Sequence, residues 1–128
     1  MSNVATLAGH VIVEDHAIVG GLAAVHQFCR IGKMSIIGGC AKIVQDVPPF
    51  MIVDGNPGKT RGVNKVGLER NGVPAEVIRS LTEAFKIVFK SGLTLANALD
   101  KVVRELPQSQ ELTHFVDFCR KSERGIAR

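Results

Sequence analysis

The stretch Leu7–Ile43, LAGHVIVEDHAIVGGLAAVHQFCRIGKMSIIGGCAKI, puts an aliphatic residue on every sixth position: Leu7, Val13, Val19, Val25, Ile31, Ile37 and Ile43. That spacing fits neither the 3.6-residue period of an amphipathic helix nor the two-residue period of an alternating strand. An unbroken six-residue repeat is the mark of a parallel β-helix built from hexapeptide strands. Four residues further on runs a second series, Val11, Ala17, Ala23, Cys29, Ser35, Ala41 and Val47, in which nothing is larger than valine. The aliphatic residue fills a narrow prism, and the small one lets the chain turn its corner. Gly20, Gly32 and Gly38 follow the aliphatic residue directly, where a tight corner is expected to favour the freedom of glycine.

Three hexads make one coil, so residues eighteen apart stack on rungs about 4.8 Å apart. Residues 1–49 therefore form a β-helix segment of about two and a half coils. His10 and His26 are expected on one prism face, a coil apart, with Gln27 and Arg30 beside them; His16 falls on the next face. Gly20-Gly21 and Gly38-Gly39 stack on the third and leave a groove without side chains, two rungs high.

Downstream the pattern changes. Asp46-Val47-Pro48-Pro49 ends the hexads, because proline removes ladder donors. Residues 50–63, rich in glycine and basic side chains, read as a connecting loop. Residues 64–128 read as an α-helical domain with four helices. Asn64 caps a short helix to Arg70, closed by Asn71-Gly72. Pro74 opens a longer one to about Ser91, with Val77, Ile78, Leu81, Phe85, Val88 and Phe89 on one face and Gly92 closing it. Thr94 caps a third, from Leu95 to about Leu106, before Pro107. Ser109 begins a fourth, with Leu112, Phe115, Val116 and Cys119 inward.

Composition narrows the classes of function. The net charge of +4 lies wholly in residues 51–128, since Arg30, Lys33 and Lys42 balance Glu14, Asp15 and Asp46 in the first fifty. A mildly basic helical unit suits an acidic protein or a phosphorylated ligand. Nucleic acid is disfavoured: there is no basic run, no Trp and no Tyr for base stacking. No stretch approaches eighteen apolar residues, so no membrane span is expected. Cys29, Cys40 and Cys119 lack CxxC spacing and read as reduced core thiols, which points to the cytoplasm.

Several segments resemble the acyl-carrier-protein–UDP-N-acetylglucosamine O-acyltransferases of lipid A synthesis. They are Leu7-Ala8-Gly9-His10, Gly20-Gly21, Val25-His26-Gln27-Phe28, Gly38-Gly39-Cys40 and Gln45-Asp46-Val47-Pro48-Pro49. The likeness continues through Gly62-Val63-Asn64 and Gly67-Leu68-Glu69-Arg70 to the closing Arg124-Gly125-Ile126-Ala127-Arg128. It implies a left-handed β-helix, a homotrimer with its cleft between neighbouring prisms, and transfer of a 3-hydroxyacyl chain to the sugar 3-hydroxyl. The donor would be the phosphopantetheine thioester of acyl carrier protein, a co-substrate rather than a bound cofactor.

By the same resemblance the Gly9 backbone N–H donates to the oxyanion, and His10 and His26 line the cleft with Gln27 beside them. Gly39 sits along the acyl groove, Asn64 contacts the nucleotide sugar, and Arg70 contacts a phosphate. Two departures are Asn71, where the family often has a second basic residue, and Asn56-Pro57-Gly58-Lys59. A third is larger. The family's general base is a histidine in an Ala-His-x-Ala-His-Asp motif on a coil before Leu7, and no such motif occurs here. The expectation is therefore a C-terminal part of a longer acyltransferase.

Each residue also has a plainer reading. His26 could make a structural hydrogen bond, Arg70 could serve the helix dipole, and Gly39 could be a corner glycine. His16 and His114 read as surface residues. A zinc site shared by outward histidines has the wrong spacing. A non-catalytic module that binds sugar nucleotide or carrier protein, and a plain trimerisation unit, remain the alternatives to an enzyme.

Overall fold

A computed structural model describes residues 6–7, 11–122 and 125–128. Seven two-residue strands open the chain: β1 (Thr6–Leu7), β2 (Ile12–Val13), β3 (Ile18–Val19), β4 (Ala24–Val25), β5 (Arg30–Ile31), β6 (Ile36–Ile37) and β7 (Lys42–Ile43). They stack in parallel as three sheets with registers eighteen residues apart: Leu7 on Val25 on Ile43, Val13 on Ile31, and Val19 on Ile37. The hexad arithmetic is thus the actual register. Val19, Val25, Ile31, Ile37 and Ile43 fill the prism, and Ala23, Cys29, Ser35, Ala41 and Val47 are buried beside them. Val13, on the first described coil, is 37% exposed because no described coil covers it.

The corners overturn one expectation. The left-handed φ at each turn belongs to His16, Leu22, Phe28, Met34 and Cys40, six residues apart, and then to Phe50. Gly20, Gly32 and Gly38 have no positive φ. They are glycine because the next coil lies too close for a Cβ. At Gly32 that atom would fall 2.3 Å from the Pro49 nitrogen, and at Gly20 2.7 Å from the Gly39 nitrogen. Backbone proximity, not backbone freedom, selects glycine here.

Residues 50–63, read as a connecting loop, carry a hairpin. Strand β8 (Met51–Asp54) continues the prism parallel to β6, then pairs antiparallel with β9 (Lys59–Val63). Ile31 meets Val47 and Ile36 pairs with Ile52, each sixteen residues on rather than eighteen, so the last coil is already two residues short before Pro48-Pro49. The hairpin tip folds back over the prism, with the Gly58 N–H donating to Lys42 O at 2.8 Å.

Four helices follow where the capping signals put them: α1 (Lys65–Arg70), α2 (Ala75–Lys90), α3 (Leu95–Glu105) and α4 (Gln110–Lys121). Thr94 and Ser109 accept from the backbone N–H groups of Asn97 and Leu112, and Gly92 takes the left-handed position after α2. Leu81, Val88, Leu99, Leu112 and Phe115 bury a second core, which also takes in Met34, Phe50 and Met51 from the prism. No described helix is long and apolar enough to cross a membrane. Cys29 and Cys119 are buried thiols, but Cys40 sits on an exposed corner; the reading of three core thiols fails there.

Candidate functional site

The His26–Arg30 turn is built by the repeat. Val25 is locked inward, so His26 begins the corner, its N–H donating to Ile43 O at 2.8 Å. Phe28 takes the left-handed φ, and the Arg30 N–H closes the turn on Asp46 Oδ1 at 2.7 Å. The backbone is thereby tied while the His26 and Gln27 side chains stand exposed. Neither makes a side-chain hydrogen bond with a described residue, so the purely structural role for the His26 ring is not seen. Gly9 and His10 lie outside the described residues.

Gly39 is exposed and its φ is not left-handed, so its conformation does not demand glycine. An added Cβ would meet only Gly21 O, at 3.1 Å. Gly39 lies in the turn before β7, so it is a corner glycine whose lack of a side chain also leaves that face bare. Beside it, Gly20 and Gly38 admit no Cβ, facing the Gly39 nitrogen at 2.7 Å and Asp54 Cβ at 2.9 Å.

Asn64 is different. It is 4% exposed, and its side chain is committed at both ends: Nδ2 donates to Met34 O at 2.8 Å, and Oδ1 accepts from the Gly67 N–H at 3.1 Å. Its backbone N–H donates to Phe50 O at 2.8 Å. Asn64 is thus a strut between a prism corner and α1, with little left to offer a sugar. Gly67 is required by that strut, since a Cβ there would sit 2.3 Å from Asn64 Nδ2.

Arg70 ends α1 exposed and without an ion pair among the described residues. A free guanidinium can still act on the helix dipole, and it can take a phosphate. Asn71 uses its side chain locally, donating to Gly67 O at 2.7 Å. A groove of about 500 Å³ between α1 and α2 is lined by Lys65, Glu69, Val73, Ile78 and Arg79 among others, and contains none of the expected site residues. Among the described residues of this chain no group of three or more His, Cys, Asp or Glu could hold a metal ion.

Sequence reasoning missed three residues. Asp46 is a carboxylate only 1% exposed, accepting from the Arg30 N–H and, at 2.5 Å, from Ser122 Oγ. Arg30 stacks its guanidinium 4.3 Å from the centre of the Phe118 ring. His114, read as a surface residue, bonds Glu14 Oε1 at 2.9 Å and meets the Phe50 ring edge-on. These contacts join positions far apart in the chain, and no local spacing announces them.

A β-helix of hexapeptide strands with a four-helix domain folded against it defines a hexapeptide-repeat protein. Residues 46–127 match the family model described as UDP-N-acetylglucosamine O-acyltransferase, domain 2, and the chain belongs to that family. All 128 residues align at 42% identity with an acyl-[acyl-carrier-protein]–UDP-N-acetylglucosamine O-acyltransferase of Anaeromyxobacter sp. strain K, covering 50% of its length. A relative of the same name from Aliivibrio fischeri strain MJ11 is 46% identical over all 128 residues, with 49% of its length covered. The crystal structure of a UDP-N-acetylglucosamine acyltransferase from Bacteroides fragilis superimposes with a TM-score of 0.93 at 40% identity, over 98% of this chain and 50% of the other. The Acinetobacter baumannii structure gives 0.92 at 43%, over 97% and 48%. The chain therefore spans about half the length of the curated relatives it matches.

Proposed function

We propose that this chain is the substrate-holding part of an O-acyltransferase that moves a 3-hydroxyacyl chain from acyl carrier protein to the 3-hydroxyl of UDP-N-acetylglucosamine. The observation that carries the reading is the exposed His26-Gln27 turn, without a side-chain hydrogen bond to any described residue, in a chain whose 128 residues all align with half of an enzyme of that name. The β-helix is left-handed, with about two and a half coils between residues 1 and 49. Residues 50–63 connect it to the helical domain of residues 64–128.

The reaction needs a base for the hydroxyl proton and donors for the developing oxyanion. The Gly9 N–H supplies such a donor. His10 and His26 hold the reacting groups in the cleft, Gln27 orients the substrate, and the space at Gly39 takes the acyl chain. Asn64 acts by placing α1, and so Arg70, whose guanidinium takes a phosphate of the sugar nucleotide. The general base falls outside this chain. The thioester of the carrier protein is a substrate, and no resident cofactor or metal takes part. The protein works in the cytoplasm as a homotrimer, since the cleft is shared between prisms.

Calorimetric titration of the folded chain with UDP-N-acetylglucosamine tests the assignment. Saturable binding is expected, weakened in Arg70→Ala by about 1.5–3 kcal/mol for loss of a charge-assisted contact. Equal affinity in the variant would return Arg70 to the helix dipole alone. No binding at all would leave a trimerisation unit as the better reading.

A further inference from the structure

Helix α4 and the tail behind it meet the prism in a stepwise order. His114 reaches Glu14, the Phe118 ring covers Arg30, and Ser122 reaches Asp46. Four residues further on, Ile126 pairs with Asp46 as a parallel bridge, the Ala127 N–H donating to Asp46 O at 2.9 Å. The prism partners climb one sheet: Glu14 follows β2, Arg30 lies on the coil stacked on β2, and the 46–47 segment stacks on that, Val47 against Ile31. From His114 through Phe118 to the C-cap Ser122, each four-residue step thus advances one coil, and Ile126 then stays on the coil that Ser122 reaches. The lengths agree, because four helical residues rise about 6 Å and coils are about 4.8 Å apart, so a modest tilt keeps them in step.

The tail then enters both cores with adjacent residues, Ile126 in the helical one and Ala127 in the prism. Thr60 Oγ1 donates to Ala127 O, and the Arg128 guanidinium donates to Val88 O at 2.7 Å and Leu93 O at 3.0 Å, near the end of α2.

We propose that α4 and the tail form a splint holding successive coils with successive turns, and that Asp46 is the positioning residue through which α4 fixes the His26–Arg30 turn. The carboxylate bridges the two directly. One oxygen accepts from Ser122 on the helical side, and the other accepts from the Arg30 N–H that closes the turn carrying His26 and Gln27. The splint stands on these contacts alone; its effect on substrate rests on the acyltransferase reading.

Residue-resolved amide exchange of the whole chain decides it. Ser122→Ala leaves every prism residue in place, yet should speed exchange at the Arg30 amide by about tenfold while α2 core amides stay unchanged. Asp46→Asn, which keeps an acceptor for Arg30 and offers Ser122 a donor, should retain most of that protection. Unaltered Arg30 exchange in folded Ser122→Ala overturns the splint, and so does a uniform acceleration at all amides, which marks general destabilisation. The same samples titrated with UDP-N-acetylglucosamine separate the two ideas. If the parent chain binds, Ser122→Ala should bind at least threefold more weakly, on the order expected for a disturbed hydrogen-bonded site; equal binding overturns the positioning role. If the parent does not bind, the functional reading fails while the exchange result still stands.

Discussion

Ile31 in the prism and Leu81 in the helical domain are both wholly buried, yet their surroundings obey different rules. Ile31 is held between Val13 and Val47 by a backbone ladder, and the glycines around it face backbone atoms of the next coil. Leu81 meets other side chains, from helices whose spacing those side chains set, and Gly72 and Gly92, just past the ends of α1 and α2, have open space around them. The prism is thus intolerant of added atoms and the helical domain of removed ones.

Two substitutions would break or confirm that contrast. Phe115→Ala, in the helical core, should cost about 3–5 kcal/mol through the cavity it leaves. Urea unfolding measures it, and a loss under 1 kcal/mol would show that the helices collapse onto the gap. Gly32→Ala adds a single carbon where the Pro49 backbone already sits, and should cost about 1–3 kcal/mol by overpacking. A neutral result would mean that the coil spacing can yield, contrary to the rigid-ladder picture.

A smaller effect sharpens the helical side. Burial pushes the Cys119 thiol from an ordinary 9.0 up to about 12, with the nearby Asp46 charge acting in the same direction. The folded protein keeps that proton where the unfolded chain loses it. Its contribution to stability is therefore complete below pH 9, and declines as pH rises from about 9 towards about 12. Urea midpoints at pH 8 and pH 10.5 should diverge more for the parent than for Cys119→Ala. Identical slopes would show that the thiol is not shielded.

Much of this was legible in the residues. The six-residue period from Leu7 to Ile43 gave the strand register directly, because in a β-helix sequence separation is spatial separation. Asn64, Thr94, Ser109 and Gly92 marked helix ends, because capping is local chemistry. The hairpin at 51–63 was hidden behind Pro57 and its glycines, which signal a turn without saying what flanks it. The role of Gly32 was hidden as well, since its reason is Pro49 on another coil. The seam of Glu14, Arg30 and Asp46 against α4 was invisible for the same cause: residues 100 positions apart, such as Glu14 and His114, share no pattern. At the site, the outward His26-Gln27 turn and the open face at Gly39 could be read from the repeat. The burial of Asn64 could not, because it depends on how α1 meets the Met34 and Phe50 corners.

The division of labour in this chain is open to one direct test: an assay for acyl transfer from 3-hydroxyacyl carrier protein to UDP-N-acetylglucosamine by folded residues 1–128 alone. The account predicts sugar-nucleotide binding without acylated product, since in the proposed function the residues here hold substrate and the base lies elsewhere. Turnover by this chain would contradict it and would place the base among these residues, with His10 and His26 the first to substitute.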